Sequence, residues 1–189
     1  MRFLRDVGIT LAILAILMAG VGYLLTRNGL SARTDPPAIE AFMARHVRRL
    51  SMPSNASRAM SPVARDPSAW TEGGRAFQEH CAVCHDEGGS GRSEVGQNLY
   101  PKVPDMRKAQ TQELTDGELF FVIQNGIRYT GMPAWERELS ASDTWKMVSF
   151  IRRLPRLTPD ELEQVMGSDR TGGASAGGGD SRRDPGKSE

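Results

Sequence analysis

The sequence predicts an all-α fold in which a small helical domain follows one membrane-spanning helix. The first observation behind this prediction is an uncharged apolar run of nineteen residues, from Val7 to Leu25. At a rise of about 1.5 Å per residue, a helix of this length crosses the hydrocarbon core of a bilayer. The second observation is that apolar residues recur at helical spacing in the later segments 39–50, 73–81, 119–123 and 145–154.

Residues 1–27 are predicted to be an uncleaved membrane anchor. A cleaved signal peptide is the alternative, with Arg2 and Arg5 as its basic start. The apolar run exceeds the roughly 7–15 residues of a signal-peptide core. The best cleavage position, Leu30-Ser31-Ala32, has a large Leu where a small residue is required. These two features favour the anchor.

Residues 28–67 are predicted to be a linker that contains an amphipathic helix over residues 38–50. One stripe of this helix is apolar apart from its histidine: Ile39, Phe42, Met43, His46, Val47 and Leu50. Arginines occupy the other side, so the helix can lie on lipid headgroups, dock on the helical domain or dock on a partner subunit. The histidine in the stripe favours protein contact. Its expected role is packing, with ligation of a cofactor's metal as the alternative.

The rest of the linker, from Ser51 to Pro67, is rich in proline and serine and has no helical period. We expect it to run extended along a neighbouring surface, since Met52, Met60 and Val63 give it apolar contacts.

Residues 68–166 are predicted to form the helical domain. Gly73, Phe77 and Cys81 are spaced by four and share a helix face, where the glycine allows another helix to approach closely. A capping box at Thr115 begins the next strong helix, which ends at Gly126.

The last strong helix runs from Ser140 to Leu154, with Ser140 or Ser142 as its N-cap. A short helix after Thr158 is expected to end by Gly167, and residues 167–189 are predicted to be a disordered tail.

The two cysteines of the chain form a C-x-x-C-H motif, Cys81-Ala82-Val83-Cys84-His85. This spacing is typical of covalent c-type haem attachment. A disulfide is one alternative. A zinc site would need a second pair of ligands at similar spacing, and the sequence has none. A thioredoxin-like redox pair belongs at the start of a helix after a strand, whereas the residues before Cys81 have a helical pattern. The sequence therefore favours one haem, with His85 as a ligand to its iron.

A sixth ligand to that iron is expected from Met132. Gly131 and Pro133 hold this methionine in a loop, so it belongs to no helical core stripe. A thioether paired with an imidazole gives a stable haem centre of raised potential.

With these motifs in hand, residues 70–157 resemble a class I, monohaem cytochrome c, and the stretch from Thr115 to Leu154 resembles the membrane-anchored bacterial branch of that family. Gly73 and Phe77 are similar to the family's N-terminal helix, which crosses a C-terminal helix represented by Phe150 and Leu154. The resemblance implies a cytochrome c-like domain of about four helices around one covalent haem.

The same resemblance implies roles for individual residues. Cys81, Cys84, His85 and Met132 would hold the haem. A proline carbonyl would accept a hydrogen bond from the ligating histidine, with Pro101 preferred over Pro104. Tyr100, Arg128 and Trp135 are expected near the haem propionates.

The expected function is electron transfer by a membrane-tethered cytochrome, between a quinol-oxidising or dehydrogenase complex and a terminal acceptor such as an oxidase. A fixed haem subunit of a larger respiratory or photosynthetic complex is the alternative. A haem enzyme or gas sensor needs an open sixth position, so no enzymatic activity and no small-molecule substrate are expected. Because c-type attachment takes place outside the bacterial cytoplasm, the domain is expected on the periplasmic side of the cytoplasmic membrane.

Charge is unevenly distributed along the chain. Residues 27–65 contain seven basic and two acidic side chains, whereas residues 70–158 contain eleven basic and twelve acidic ones. This pattern predicts no nucleic-acid partner. The nearly neutral domain also differs from mobile members of the family, which carry a lysine ring around the haem edge.

Overall fold

The computed structural model describes residues 2–27 and 31–172, and all regular structure within these ranges is helical. The α-helices are α1 (Arg2–Thr26), α2 (Ala38–Ser51), α3 (Ala69–His80), α4 (Ala82–His85), α5 (Ala109–Gln112), α6 (Asp116–Asn125), α7 (Ala141–Arg153) and α8 (Pro159–Gly172). Short 3-10 turns occur at Ala56–Arg58, Gly96–Asn98 and Leu154–Arg156. The predicted all-α class is confirmed.

Helix α1 is long and apolar enough to cross a membrane. Its segment Arg2–Leu24 has a mean hydropathy of 2.3, and none of the apolar window is buried against the rest of the protein. Large apolar side chains such as Ile16 and Leu17 are exposed along it. A helix of this composition is stable when lipid covers these side chains.

The centre of the domain is the crossing of α3 over α7, which contains a fully buried aromatic pair. The rings of Phe77 and Phe150 lie 5.1 Å apart between centroids. At Gly73 the two backbones approach so closely that a Cβ would lie 2.0 Å from the carbonyl oxygen of Lys146. The predicted close approach at this glycine is confirmed.

Helix ends in the domain follow the predicted capping residues. Thr115 and Glu118 form a reciprocal capping box at the start of α6, and Ser140 caps α7 by accepting from the backbone N–H of Asp143. Helix α8 differs from the prediction because it continues through Gly167 to Gly172. A single glycine costs a helix only about 1 kcal/mol and need not end it. Residues 173–189 of the predicted tail lie outside the described residues.

The linker lies along the start of α6. Ala56 is buried, and a Cβ on Gly117 would lie 1.9 Å from its carbonyl oxygen. Met60, which was expected to contribute apolar contact, is instead 86% exposed. Backbone packing against the glycine therefore holds the linker on the domain.

Helix α2 rests on the domain through its polar face. The hydroxyl of Tyr100 donates to Glu40 at 2.5 Å, and half-buried Arg48 lies within electrostatic range of Glu118 on α6. The stripe does not dock on the domain, because every large apolar residue of the stripe is exposed. Contact with a partner subunit, the other form of the favoured protein contact, stays a prediction.

Candidate cofactor site

The C-x-x-C-H motif forms the junction between α3 and α4. The backbone N–H of Cys81 donates to the carbonyl of Phe77, and that of His85 donates to the carbonyl of Cys81, each at 2.8 Å. The motif is therefore one helical turn, continuous with the helix that crosses α7. Cys81 and Cys84 are both free thiols, so the disulfide alternative is not formed.

The first thiol of the motif points into the core. Cys81 is buried, and its Sγ lies 3.7 Å from the Sδ of Met147 on α7. Burial raises the pKa of this thiol to about 12, so it is protonated at neutral pH. Cys84 is only partly buried. The two sulfurs thus sit at the border between the core and the surface.

His85 is buried and electrically neutral. Its ring centroid lies 6.3 Å from that of Phe77, and burial lowers the pKa of the imidazole to about 4. Its Nδ1 atom is buried without a hydrogen-bond partner among the described residues. The expected bond from this histidine to the carbonyl of Pro101 or Pro104 is therefore not formed through that atom. A neutral imidazole is the form that binds metal ions.

The glycine-rich loop after the motif folds back beneath it. The N–H of Gly91 donates to the carbonyl of His85 at 2.9 Å. The hydroxyl of Ser93 donates to the carbonyls of Val83 and Cys84 at 2.8 and 2.9 Å. Gly96 packs on the carbonyl of Cys84, where a Cβ would lie 2.2 Å away. Sequence reasoning found only a polar loop here, since a lone Ser93 carries no local signal for bonds to carbonyls nine and ten residues earlier.

Met132 sits in a loop that is tied to the end of α6. The N–H of Ile127 donates to its carbonyl at 3.1 Å, and its own N–H donates to the hydroxyl of Thr130 at 3.1 Å. The side chain of Leu99 packs against the adjacent Gly131, within 2.8 Å of where a Cβ would lie. Segment 96–99 therefore bridges the motif, which it touches at Cys84, and the loop of Met132.

The three residues expected near the propionates lie in three different surroundings. Trp135 lies near the motif, with its ring centroid 5.4 Å from that of His80 and the two rings tilted by 55°. Arg128 is exposed. Tyr100 uses its hydroxyl to hold Glu40 of α2, which is a contact that the sequence did not predict.

These observations fit a covalently attached metalloporphyrin. Two unpaired thiols and a neutral, buried imidazole lie within one helical turn, and the imidazole has a nitrogen without a partner. Among residues 2–27 and 31–172 no cluster of three or more metal-ligating side chains occurs, so the zinc alternative lacks its remaining ligands.

Comparison with known proteins also supports a site for a covalently attached metalloporphyrin. Residues 68–151 match the family described as cytochrome C oxidase, cbb3-type, subunit III. This part of the chain is a class I cytochrome c domain. The match runs from the start of α3 to near the end of α7 and leaves out α1, α2 and the linker. No curated protein matches the chain. A cytochrome c domain carries covalently bound haem c and transfers electrons.

Proposed function

We propose that this protein is a membrane-tethered cytochrome with one haem c. It passes single electrons between membrane complexes, on the periplasmic side of the membrane. The observation that carries the proposal is the buried C-x-x-C-H turn inside a cytochrome c domain. The chain has a single motif of this kind, which supports one haem. The apolar helix α1 supports the tether.

Haem c, when bound, supplies a one-electron ferrous/ferric couple. Cys81 and Cys84 would hold it through thioethers, and His85 would ligate the iron. Met132 would supply a second ligand, and its soft thioether would raise the potential. The buried wall around Phe77 excludes water, which favours the state of lower charge. With His85 and Met132 both as ligands, ligand rearrangement during transfer would be small and no position would be open for a substrate.

The ligand assignment is tested with Met132→Ala in the full haem-loaded chain. We expect loss of the charge-transfer band of thioether-ligated ferric haem and a potential lower by on the order of 100 mV, within the roughly 0.8 V that axial ligands span. Met60→Ala is the matched control, because Met60 is a loop methionine that is 86% exposed. Absorbance spectra and redox titration report both quantities.

An unchanged spectrum in Met132→Ala would contradict the assignment. Met106 is then the next residue to test. It is buried, and its N–H donates to the carbonyl of Gly89 in the loop beneath the motif at 2.8 Å.

A fixed subunit of a larger oxidase is the second candidate. Two observations favour it: the matched family is described as an oxidase subunit, and the linker is packed on the domain at Ala56 and Gly117. The two candidates differ in how the rate of electron transfer depends on the number of protein molecules per area of membrane. In reconstituted membranes, a carrier that finds its partner by lateral diffusion slows as lipid is added, whereas a fixed subunit keeps its rate and copurifies with the complex.

A further inference from the structure

The apolar stripe of α2 is exposed over its whole length. Its large apolar members, Ile39, Phe42, Met43, Val47 and Leu50, are between 51% and 83% exposed. The imidazole of His46 lies in the same stripe, with its ring 4.5 Å from that of Phe42. A row of exposed apolar side chains along one helix face marks an interaction site.

The domain holds α2 by its opposite face. Glu40, Ala41 and Arg48 are the partly buried residues of this helix. At about 100° per residue, Ala41 and Arg48 lie across the helix from the centre of the stripe, whereas Glu40 lies at its edge. Glu40 binds Tyr100. The stripe therefore points away from the domain, and no described residue covers it.

The chain keeps this helix close to the membrane. The Nζ of Lys102 donates to the carbonyl of Ala32 at 2.8 Å, so the surface beside α2 is fixed to a residue that follows Thr26, the end of α1, by six positions. Six residues span at most about 20 Å. The domain and α2 are thus confined to within a short distance of the bilayer surface.

Charge around the stripe matches anionic headgroups. Arg45 and Arg49 are exposed on one side of it, and the segment from residue 27 to residue 65 carries seven basic against two acidic side chains. With 14 residues, α2 is too short to span a bilayer but has the length and pattern of a helix that lies in its interface. An imidazole is tolerated at that depth, because its polar edge reaches the headgroups.

We propose that α2 lies in the lipid interface of the membrane that α1 spans, with its apolar stripe among the acyl chains and Arg45 and Arg49 among anionic headgroups. The cytochrome c domain then stands on this helix with Tyr100 and Lys102 toward the bilayer. The inference rests on the membrane anchor of the proposed function and does not depend on which residue is the sixth ligand.

The test uses the full haem-loaded chain in nanodiscs of phosphatidylcholine with a minority of phosphatidylglycerol. A nitroxide is attached to Val47→Cys or, as a second stripe position, to Met43→Cys. Ala44→Cys is the matched control, since Ala44 is exposed on the side of α2 away from the stripe. In the loaded chain the motif thiols are consumed by thioethers, which leaves one reactive thiol. Collisional relaxation by oxygen and by a water-soluble nickel chelate measures the depth of each label.

We expect the stripe labels to collide more with oxygen and the Ala44 label to collide more with nickel. Equal exposure of all three labels to nickel, in a chain that remains in the nanodisc, would overturn the proposal. If the stripe labels are protected from the nickel chelate only when membrane proteins are added, the proposal is also overturned, and the stripe is assigned to a protein partner. Failure of the anchor is seen separately, as release of the chain from the nanodisc, and failure of haem attachment is seen in the absorbance.

Discussion

At the scale of single residues, position 73 decides how closely the two central helices approach. A Cβ there would lie 2.0 Å from the carbonyl oxygen and 2.3 Å from the carbonyl carbon of Lys146. Both are backbone atoms of α7, so no rotamer change relieves the contact. Because Phe77 and the haem motif follow on the same helix, a shift of α3 also moves the wall of the site.

We therefore expect Gly73→Ala to destabilise the haem-loaded protein by about 1–3 kcal/mol, the usual cost of overpacking. Each kcal/mol corresponds to roughly 4–8 °C in Tm for a domain of this size. Gly167→Ala is the control, since Gly167 lies in α8 with nothing within 4 Å of an added Cβ. It should raise stability by about 0.5–1 kcal/mol. Thermal unfolding measures both changes. Equal changes in stability at positions 73 and 167 would contradict a backbone clash at position 73.

At the scale of elements, local chemistry allowed most helix ends of the domain to be predicted. The caps at Thr115 and Ser140 involve residues three positions apart, and the helices begin where the sequence indicates. The 3-10 turns and α5 escaped prediction because they are too short to show an apolar period.

Long-range contacts account for what the sequence did not predict. Arg152 binds Asp116 and the carbonyls of Gln112 and Leu114, which are 36 to 40 residues away and have no local signal. The pattern of α2 likewise predicted an apolar stripe but not what the stripe faces, since that depends on where Tyr100 and Glu118 lie. At the site, the motif gave Cys81, Cys84 and His85 directly, whereas the role of Ser93 depends on the loop folding back.

Tyr100 provides a test of how α2 is held. Glu40 accepts a hydrogen bond from its hydroxyl and raises the pKa of the phenol to about 12, so this hydrogen bond is intact throughout the neutral range. In Tyr100→Phe we expect a loss on the order of 1 kcal/mol, which makes amide exchange in Ala38–Ser51 about fivefold faster. Hydrogen exchange with mass spectrometry measures it.

The redox potential should not change in this variant, because the hydroxyl is engaged with α2. Tyr129→Phe is the control, since Tyr129 is 91% exposed. A potential that shifts in Tyr100→Phe alone would instead support the original expectation that Tyr100 contacts a propionate.

At the scale of the whole molecule, the charge distribution separates a basic tether from a nearly neutral domain. Exposed arginines such as Arg45 and Arg49 flank the stripe of α2, whereas bases and acids of the domain are often paired, as Lys146 is with Glu72 at 2.8 Å. With the membrane anchoring proposed above, we expect attraction to anionic lipid to be confined to residues 27–65, and encounter with a redox partner to rely on confinement near the membrane more than on electrostatic steering.

This separation predicts a weak salt dependence of electron transfer. For the chain in phosphatidylcholine nanodiscs, the rate of oxidation by ferricyanide should change by less than about threefold between ~10 mM and ~200 mM salt, although the Debye length contracts from about 30 Å to below 10 Å. Steered reactions vary by roughly 10–10³-fold.

The control is the double variant Glu136→Lys with Glu138→Lys, which changes two exposed acids beside Trp135 and reverses the sign of the domain's net charge. This variant should react faster with the anionic oxidant at low salt and lose that gain as salt rises. A strong salt dependence in the unmodified chain would mean that the basic tether, and not the neutral domain, controls access to the haem.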